Sequence, residues 1–313
     1  MMVLLLMQAV AVPIVVGLLG FWVLQRRMIE GAHLKVLAVL ALDIALPCHV
    51  LVTLLDRFEP YAMPDWWNRP LWWAGSVLFF ALLALPGRRL FPADVRREAG
   101  ATLFYPNAVF LPMVIIMELF GRDSAYLTDL FLFTLFFSMF YFNTIGRFYA
   151  GTPGRLRLVN PVLAATLCGV LLKILRIDFI APEFLRSGLR LVGAMAAPAL
   201  LLLLGGNIFM DLTRPRDVFR RDALLFVLLK NIVIPLAMLG ILFVIRPAFA
   251  PALILMLHAA VPPLTSLPAM TERCGGQRAV VGRYMVAAFA CSLITVPLFM
   301  IAFLRLYEVA VIE

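Results

Sequence analysis

The sequence predicts an all-α integral membrane protein with ten transmembrane helices. They form two inverted five-helix repeats in which helices 4 and 9 are broken and cross. Three observations predict this. Apolar residues make up 64% of the 313-residue chain and charged residues only 14%, with a mean hydropathy of +0.99. A soluble domain carries about 25% charge. Apolar stretches of about 20 residues, the length that crosses a bilayer, consume nearly the whole chain. Two of these stretches are interrupted by proline pairs at equal spacing. One reads Tyr105-Pro106-Asn107-Ala-Val-Phe-Leu-Pro112, the other Ala260-Val261-Pro262-Pro263-Leu-Thr265-Ser266-Leu-Pro268.

The ten spans fall roughly at 2–24, 34–55, 67–86, 100–120, 126–146, 159–177, 185–210, 222–245, 250–271 and 280–306. The first is too long for a signal peptide, lacks a basic leader and is followed by Gln25-Arg26-Arg27, which fits a membrane span better. Orientation follows from Lys and Arg in the short loops. Of the 27 such residues, 17 fall in odd-numbered loops, for example Arg88, Arg89, Arg96 and Arg97, or Arg273, Arg278 and Arg283. Eight fall in even-numbered loops and the tail. This places the odd loops in the cytoplasm of a bacterial-type inner membrane and both termini on the periplasmic side. The net charge of +9 is thus a topology signal and does not indicate nucleic-acid binding. The four scattered cysteines and absent C-x-x-C pairing indicate neither a metal site nor a disulfide framework, and no cofactor is expected.

Proline positions point to the repeat. Pro106 and Pro262, like Pro112 and Pro268, stand 156 residues apart; Pro13 and Pro161 are offset by 148, Pro47 and Pro198 by 151. The halves are 1–150 and 151–313. Five spans per half is an odd number, so the second half inserts upside down relative to the first.

The breaks carry the chemistry. Proline removes a backbone donor and interrupts the helical ladder. In lipid, irregular backbone survives only inside protein or beside a cavity. Matched breaks in two halves are the best sequence pointer to a transporter's binding site. A half-helix N-terminus presents free N–H groups and partial positive charge, suited to a carboxylate. Pro106, Pro112, Pro262, Pro263 and Pro268 shape the breaks. Asn107, Thr265 and Ser266 offer side-chain hydrogen bonds within them, and Tyr105 can line the same space. The blander alternative is kinked, packed helices whose polar residues satisfy freed backbone.

Ionisable residues inside spans cost roughly 2.5–3.5 kcal/mol each on insertion scales and default to functional candidates. Asp43 lies mid-span, suited to a proton or a cation, or near a polar end. His258 precedes the second break and suits proton coupling, or a hydrogen bond between helices. Lys230, with Asn231, interrupts span 8; it supplies positive charge for an anion or stands where a coupling cation would. Glu118, Asp129 and Lys173 fall near span ends as interfacial charges, with Glu118 kept as a charge candidate. Asn160-Pro161 looks like an N-cap and first helical residue. Gly205-Gly206-Asn207 permits close helix contact, or marks a thin wall beside a cavity. Trp66, Trp67, Trp72 and Trp73 look like an interfacial aromatic belt.

Together these segments resemble the auxin efflux carrier family of secondary transporters in its bacterial form. The resemblance rests on Leu46-Pro47, on Pro112 with Glu118-Leu-Phe-Gly121, and on Asn160-Pro161-Val-Leu-Ala-Ala-Thr-Leu-Cys-Gly169. It continues through Ala197-Pro198, Ala259-Ala-Val-Pro262 and Ser292-Leu-Ile-Thr295-Val-Pro297. It implies a scaffold and dimer-contact domain from spans 1, 2, 6 and 7 and a transport domain from spans 3–5 and 8–10. It also implies a homodimer and an elevator-like movement of small organic anions such as malonate or malate; a proton and sodium both stay open as the coupling ion, which no sequence feature names. The chain departs from the family at Tyr105, where an Asn usually stands seven residues before the proline matching Pro112; the bulky ring would narrow or alter the pocket.

Two other classes compete. A membrane-embedded enzyme needs clustered catalytic groups, but the chain shows no paired carboxylates, no His-x₄-Asp and only three histidines, His33, His49 and His258. A non-transporting receptor on the same fold would carry a soluble output domain, which the sequence does not show.

Overall fold

The computed structural model describes residues 2–149, 160–212 and 220–308. Arg155, Arg157, Arg214 and Arg216 of the charge count lie outside them, as do the start of span 6 and the C-terminal tail. The described chain is helical: α1 (Met2–Gln25), α2 (Gly31–Arg57), α3 (Trp66–Leu90), α4 (Arg96–Phe104), α5 (Phe110–Phe120), α6 (Ala125–Phe148), α7 (Pro161–Ile174), α8 (Glu183–Gly193), α9 (Ala196–Leu212), α10 (Arg221–Ile245), α11 (Phe249–Ala260), α12 (Leu267–Arg273) and α13 (Arg278–Leu306). Among the described residues six continuous helical stretches are long and apolar enough to cross a membrane: α2, α3, α6, the stretch Glu183–Met210, α10 and α13. Shorter apolar helices include α5, α7 and α11. Outward-facing Leu78, Leu236 and Leu298 are exposed; such a surface suits acyl chains and is a liability in water.

Proline explains most interruptions. It cannot donate to the carbonyl four residues earlier. Before Pro198 that carbonyl belongs to Ala194, and the chain turns between α8 and α9 at that point. Before Pro47 it belongs to Asp43, and α2 widens into a π-turn over Leu40–Ala45. Before Pro235 it belongs to Asn231, and α10 does the same over Leu228–Val233. Wider turns of this kind often mark functional sites. The two polar interruptions of the apolar pattern, Asp43 and Lys230-Asn231, therefore sit inside the two π-turns. At the start of α7, Asn160 caps the helix, its side-chain oxygen accepting from the Leu163 N–H at 3.0 Å.

Two groups of helices pack most closely among themselves. α1 lies along α9, and α2 packs against α7 and α8. α3 packs on α4 and α6, while α13 packs on α10, α11 and α12. α1 also touches α5 and α13, which joins the groups. Glycine allows the tightest contact: a Cβ on Gly205 of α9 would stand 1.6 Å from the Gly17 carbonyl oxygen of α1.

Two sequence expectations need correction. Asp129 is not an interfacial charge. It is buried and paired with buried Arg69 of α3. The tryptophans do not form one belt either: Trp67 is exposed, but Trp73 is buried with its ring 5.5 Å from Phe140. Breaking a buried ion pair leaves an uncompensated charge, so Asp129→Leu is expected to cost about 3–5 kcal/mol. Thermal unfolding in detergent measures this, and the Arg69→Met/Asp129→Leu pair should recover much of the loss. A single variant as stable as the parent would show that the pair is a spectator.

Candidate functional site

The two broken segments meet. Pro106 and Pro263 form an antiparallel bridge. The Asn107 N–H donates to the Pro262 carbonyl at 3.1 Å, and the Leu264 N–H donates to the Tyr105 carbonyl at 3.1 Å. This is the non-hydrogen-bonded pair of an antiparallel ladder, in which the facing residues contribute no N–H to each other. Proline has none to contribute, so both prolines sit where they leave the pairing intact. The same prolines end α4 and α11. As a result the ends of α4, α5, α11 and α12 converge at one place inside the protein.

Polar side chains secure these ends. The Asn107 side-chain oxygen accepts from the Phe110 N–H at 3.1 Å and the Leu111 N–H at 3.4 Å, satisfying the start of α5. Its amide nitrogen is buried and meets no acceptor. His258 Nε2 lies 2.9 Å from the Ala108 carbonyl oxygen, tying α11 to the first break, and its ring packs edge-on against Phe133. Lys230 is fully buried and donates from Nζ to the Ala259 carbonyl at 2.9 Å, next to the C-terminal end of α11. Asn231 donates to the Ala288 carbonyl at 3.0 Å, joining α10 to α13.

Two cavities lie on opposite sides of the bridge. The larger, of about 530 Å³, reaches the arginine-rich side at Lys35, Arg273 and Arg278. Phe110, Tyr141, Thr265, Ser266 and Pro268 line it, together with Asp43, Asn160 and Asn207. The second, of about 360 Å³, contains His49, Asp56, Arg122 and Arg190. A third space of about 220 Å³ is almost wholly apolar and includes Gly17, Gly205 and Pro262.

The structure thus divides the sequence candidates. Thr265, Ser266, Pro268 and Asp43 share the large cavity. Asn107, Lys230 and His258 form a buried polar group around the bridge, and Pro112 and Pro263 are buried without facing a cavity. Glu118 lines the opposite cavity, away from all of these. Pro106 and His258 border a void of about 20 Å³. Tyr105 turns from the large cavity into an aromatic box with Phe104, Tyr141 and Phe148, its hydroxyl 2.7 Å from Thr144 Oγ1. Sequence reasoning missed Tyr141, whose hydroxyl lies beside Ser266; its three-residue spacing from Ser138 on α6, which also lines the cavity, was the available signal. Among the described residues no group of three or more His, Cys, Asp or Glu could hold a metal ion.

A multi-pass helical membrane protein with two interrupted helices paired at its centre belongs to the class of membrane transport proteins. A membrane transport protein family model matches residues 5–155 and 147–300, nearly the whole chain. The chain belongs to that family, the auxin efflux carriers. No curated protein sequence matches it.

Proposed function

We propose that the protein is a secondary active transporter for a small organic anion of the carboxylate class, working by an elevator-like alternating-access movement. Ten spans in two inverted repeats then place both termini on the periplasmic side of a bacterial inner membrane. The helices α3–α6 and α10–α13 form the moving group, and α1, α2 and α7–α9 form the scaffold and the contact of a homodimer. The observation that carries this reading is the Pro106–Pro263 bridge beside a cavity that reaches one side only. It puts the N-terminus of α5 and the hydroxyls of Thr265 and Ser266 at one wall of that cavity. Asn107 holds its oxygen on α5 and leaves its buried amide donor unpaired at the bridge, so the polar role expected of the family's usual asparagine is assigned to Asn107. The Tyr105 ring is packed away and leaves the cavity wide.

The test is uptake of labelled malonate and malate into proteoliposomes. The parent should show saturable uptake. Asn107→Ala loses the cap on α5, worth about 1 kcal/mol, together with the free donor. Asn107→Ala and Pro262→Ala should each cut uptake about tenfold or more, the factor that 1.4 kcal/mol represents. Full transport by both variants would remove the site from the bridge.

A further inference from the structure

Lys230 has no counter-ion among the described residues. Its only hydrogen bond among the described residues runs to the Ala259 carbonyl, and Phe80 lies beneath it with the ring centroid 5.5 Å away. The carboxylates on the surrounding helices are committed elsewhere. Glu98 of α4 accepts from the Gln277 N–H, Asp129 of α6 pairs with Arg69, and Asp222 of α10 pairs with Arg283 and accepts from the Tyr284 hydroxyl. Of the elements packed on Lys230, α11 presents His258, which bonds Ala108, and α3 presents the Phe80 ring. α13 presents Ala288 and Thr295 to the neighbouring Asn231. An unpaired ammonium at this depth is costly, and the cost disappears either when the amine is neutral or when a negative charge arrives beside it.

We propose that Lys230 is the proton carrier of transport: it takes up one proton when the anion binds at the bridge and releases it when the anion leaves. This rests on the anion-transport reading above. The chemistry balances. The Nζ lone pair accepts a proton from water on the side of uptake, forming one N–H bond, and the same bond is broken on the other side. No metal cation is required, because the tethered ammonium occupies the C-terminal end of α11, where the helix dipole favours positive charge. Each cycle then carries the anion and one proton together, and the loaded protein moves one negative charge fewer than the anion alone.

The test is malonate uptake into proteoliposomes with membrane voltage clamped and pH and sodium gradients imposed separately. For the parent, accumulation should follow the proton gradient by up to about tenfold per pH unit, the factor set by one coupled proton, and should ignore sodium. Lys230→Gln should lose the response to the proton gradient and gain sensitivity to voltage, since it moves one more negative charge per cycle. Persistence of that response in Lys230→Gln, or a sodium requirement in the parent, would overturn the proposal. Should Lys230→Gln fail to fold, the parent protein decides the matter. In weakly buffered detergent solution, added malonate should draw one proton per chain from a pH indicator, and binding without proton uptake would overturn it. Malonate uptake without proton coupling defeats this inference alone, whereas no uptake of any carboxylate defeats the transport reading as well.

Discussion

Gly205→Val is expected to abolish accumulation of well-folded protein in the membrane. A Cβ at this position would lie 1.6 Å from the Gly17 carbonyl oxygen, 2.5 Å from its carbonyl carbon and 2.9 Å from the Phe21 nitrogen. All three are backbone atoms, so no rotamer change can make room. Ordinary van der Waals contact requires about 3.5 Å, so α1 and α9 would have to separate by nearly 2 Å. In lipid, helices associate mainly through close packing, with no hydrophobic drive to compensate. The backbone contact is reinforced at Gly20, whose Cβ would stand 2.1 Å from the Leu202 carbonyl oxygen. The expected loss is about 3 kcal/mol or more, the upper range for overpacking. Gly75→Ala is the control: a Cβ there meets nothing within 4 Å, and a helical Gly→Ala exchange gains roughly 0.5–1 kcal/mol. Size-exclusion profiles and thermal unfolding in detergent compare the two. Equal behaviour of both variants would show that the α1–α9 contact does not hold this helix pair together.

What the sequence made legible follows from how local each physical rule is. Proline lacks its N–H wherever it stands, so Pro106, Pro112, Pro262 and Pro268 announced the breaks without knowledge of the fold. Asn160-Pro161 announced a helix start for the same reason. The partners of Arg69, Asp222 and Tyr105 could not be read in this way. Asp129 lies 60 residues from Arg69 and Thr144 lies 39 residues from Tyr105, and only the packed helices bring them together. The π-turns fall between these cases. Asp43 and Asn231 each stand four residues before a proline, a pattern visible in the chain. Whether the freed carbonyl causes a kink or a wider turn depends on the neighbouring helices. Glu118, read as a charge near the end of its span, lines the opposite cavity because the length of α5 carries it there.

The double substitution Pro106→Ala/Pro263→Ala is expected to eliminate transport while leaving a folded, helical protein. Each alanine restores a backbone N–H at a position whose facing residue offers no acceptor in this register. A buried donor without a partner costs about 1–3 kcal/mol. At position 106 alanine also removes the steric block that stops α4 and has the highest helix propensity, while Pro262 still stops α11. The cheapest way to satisfy the new donor at 106 is therefore for α4 to run on past its break. That would sever the Asn107–Pro262 and Leu264–Tyr105 hydrogen bonds and pull the α5 N-terminus, Thr265 and Ser266 away from the cavity wall. Pro263→Ala alone leaves α4 blocked at Pro106 and should reduce malonate uptake only partly. Circular dichroism should show helix content equal to or above that of the parent, which separates a closed crossing from a misfolded chain. Uptake by the double variant at the parental rate would mean that the bridge is a packing feature and that the anion passes elsewhere.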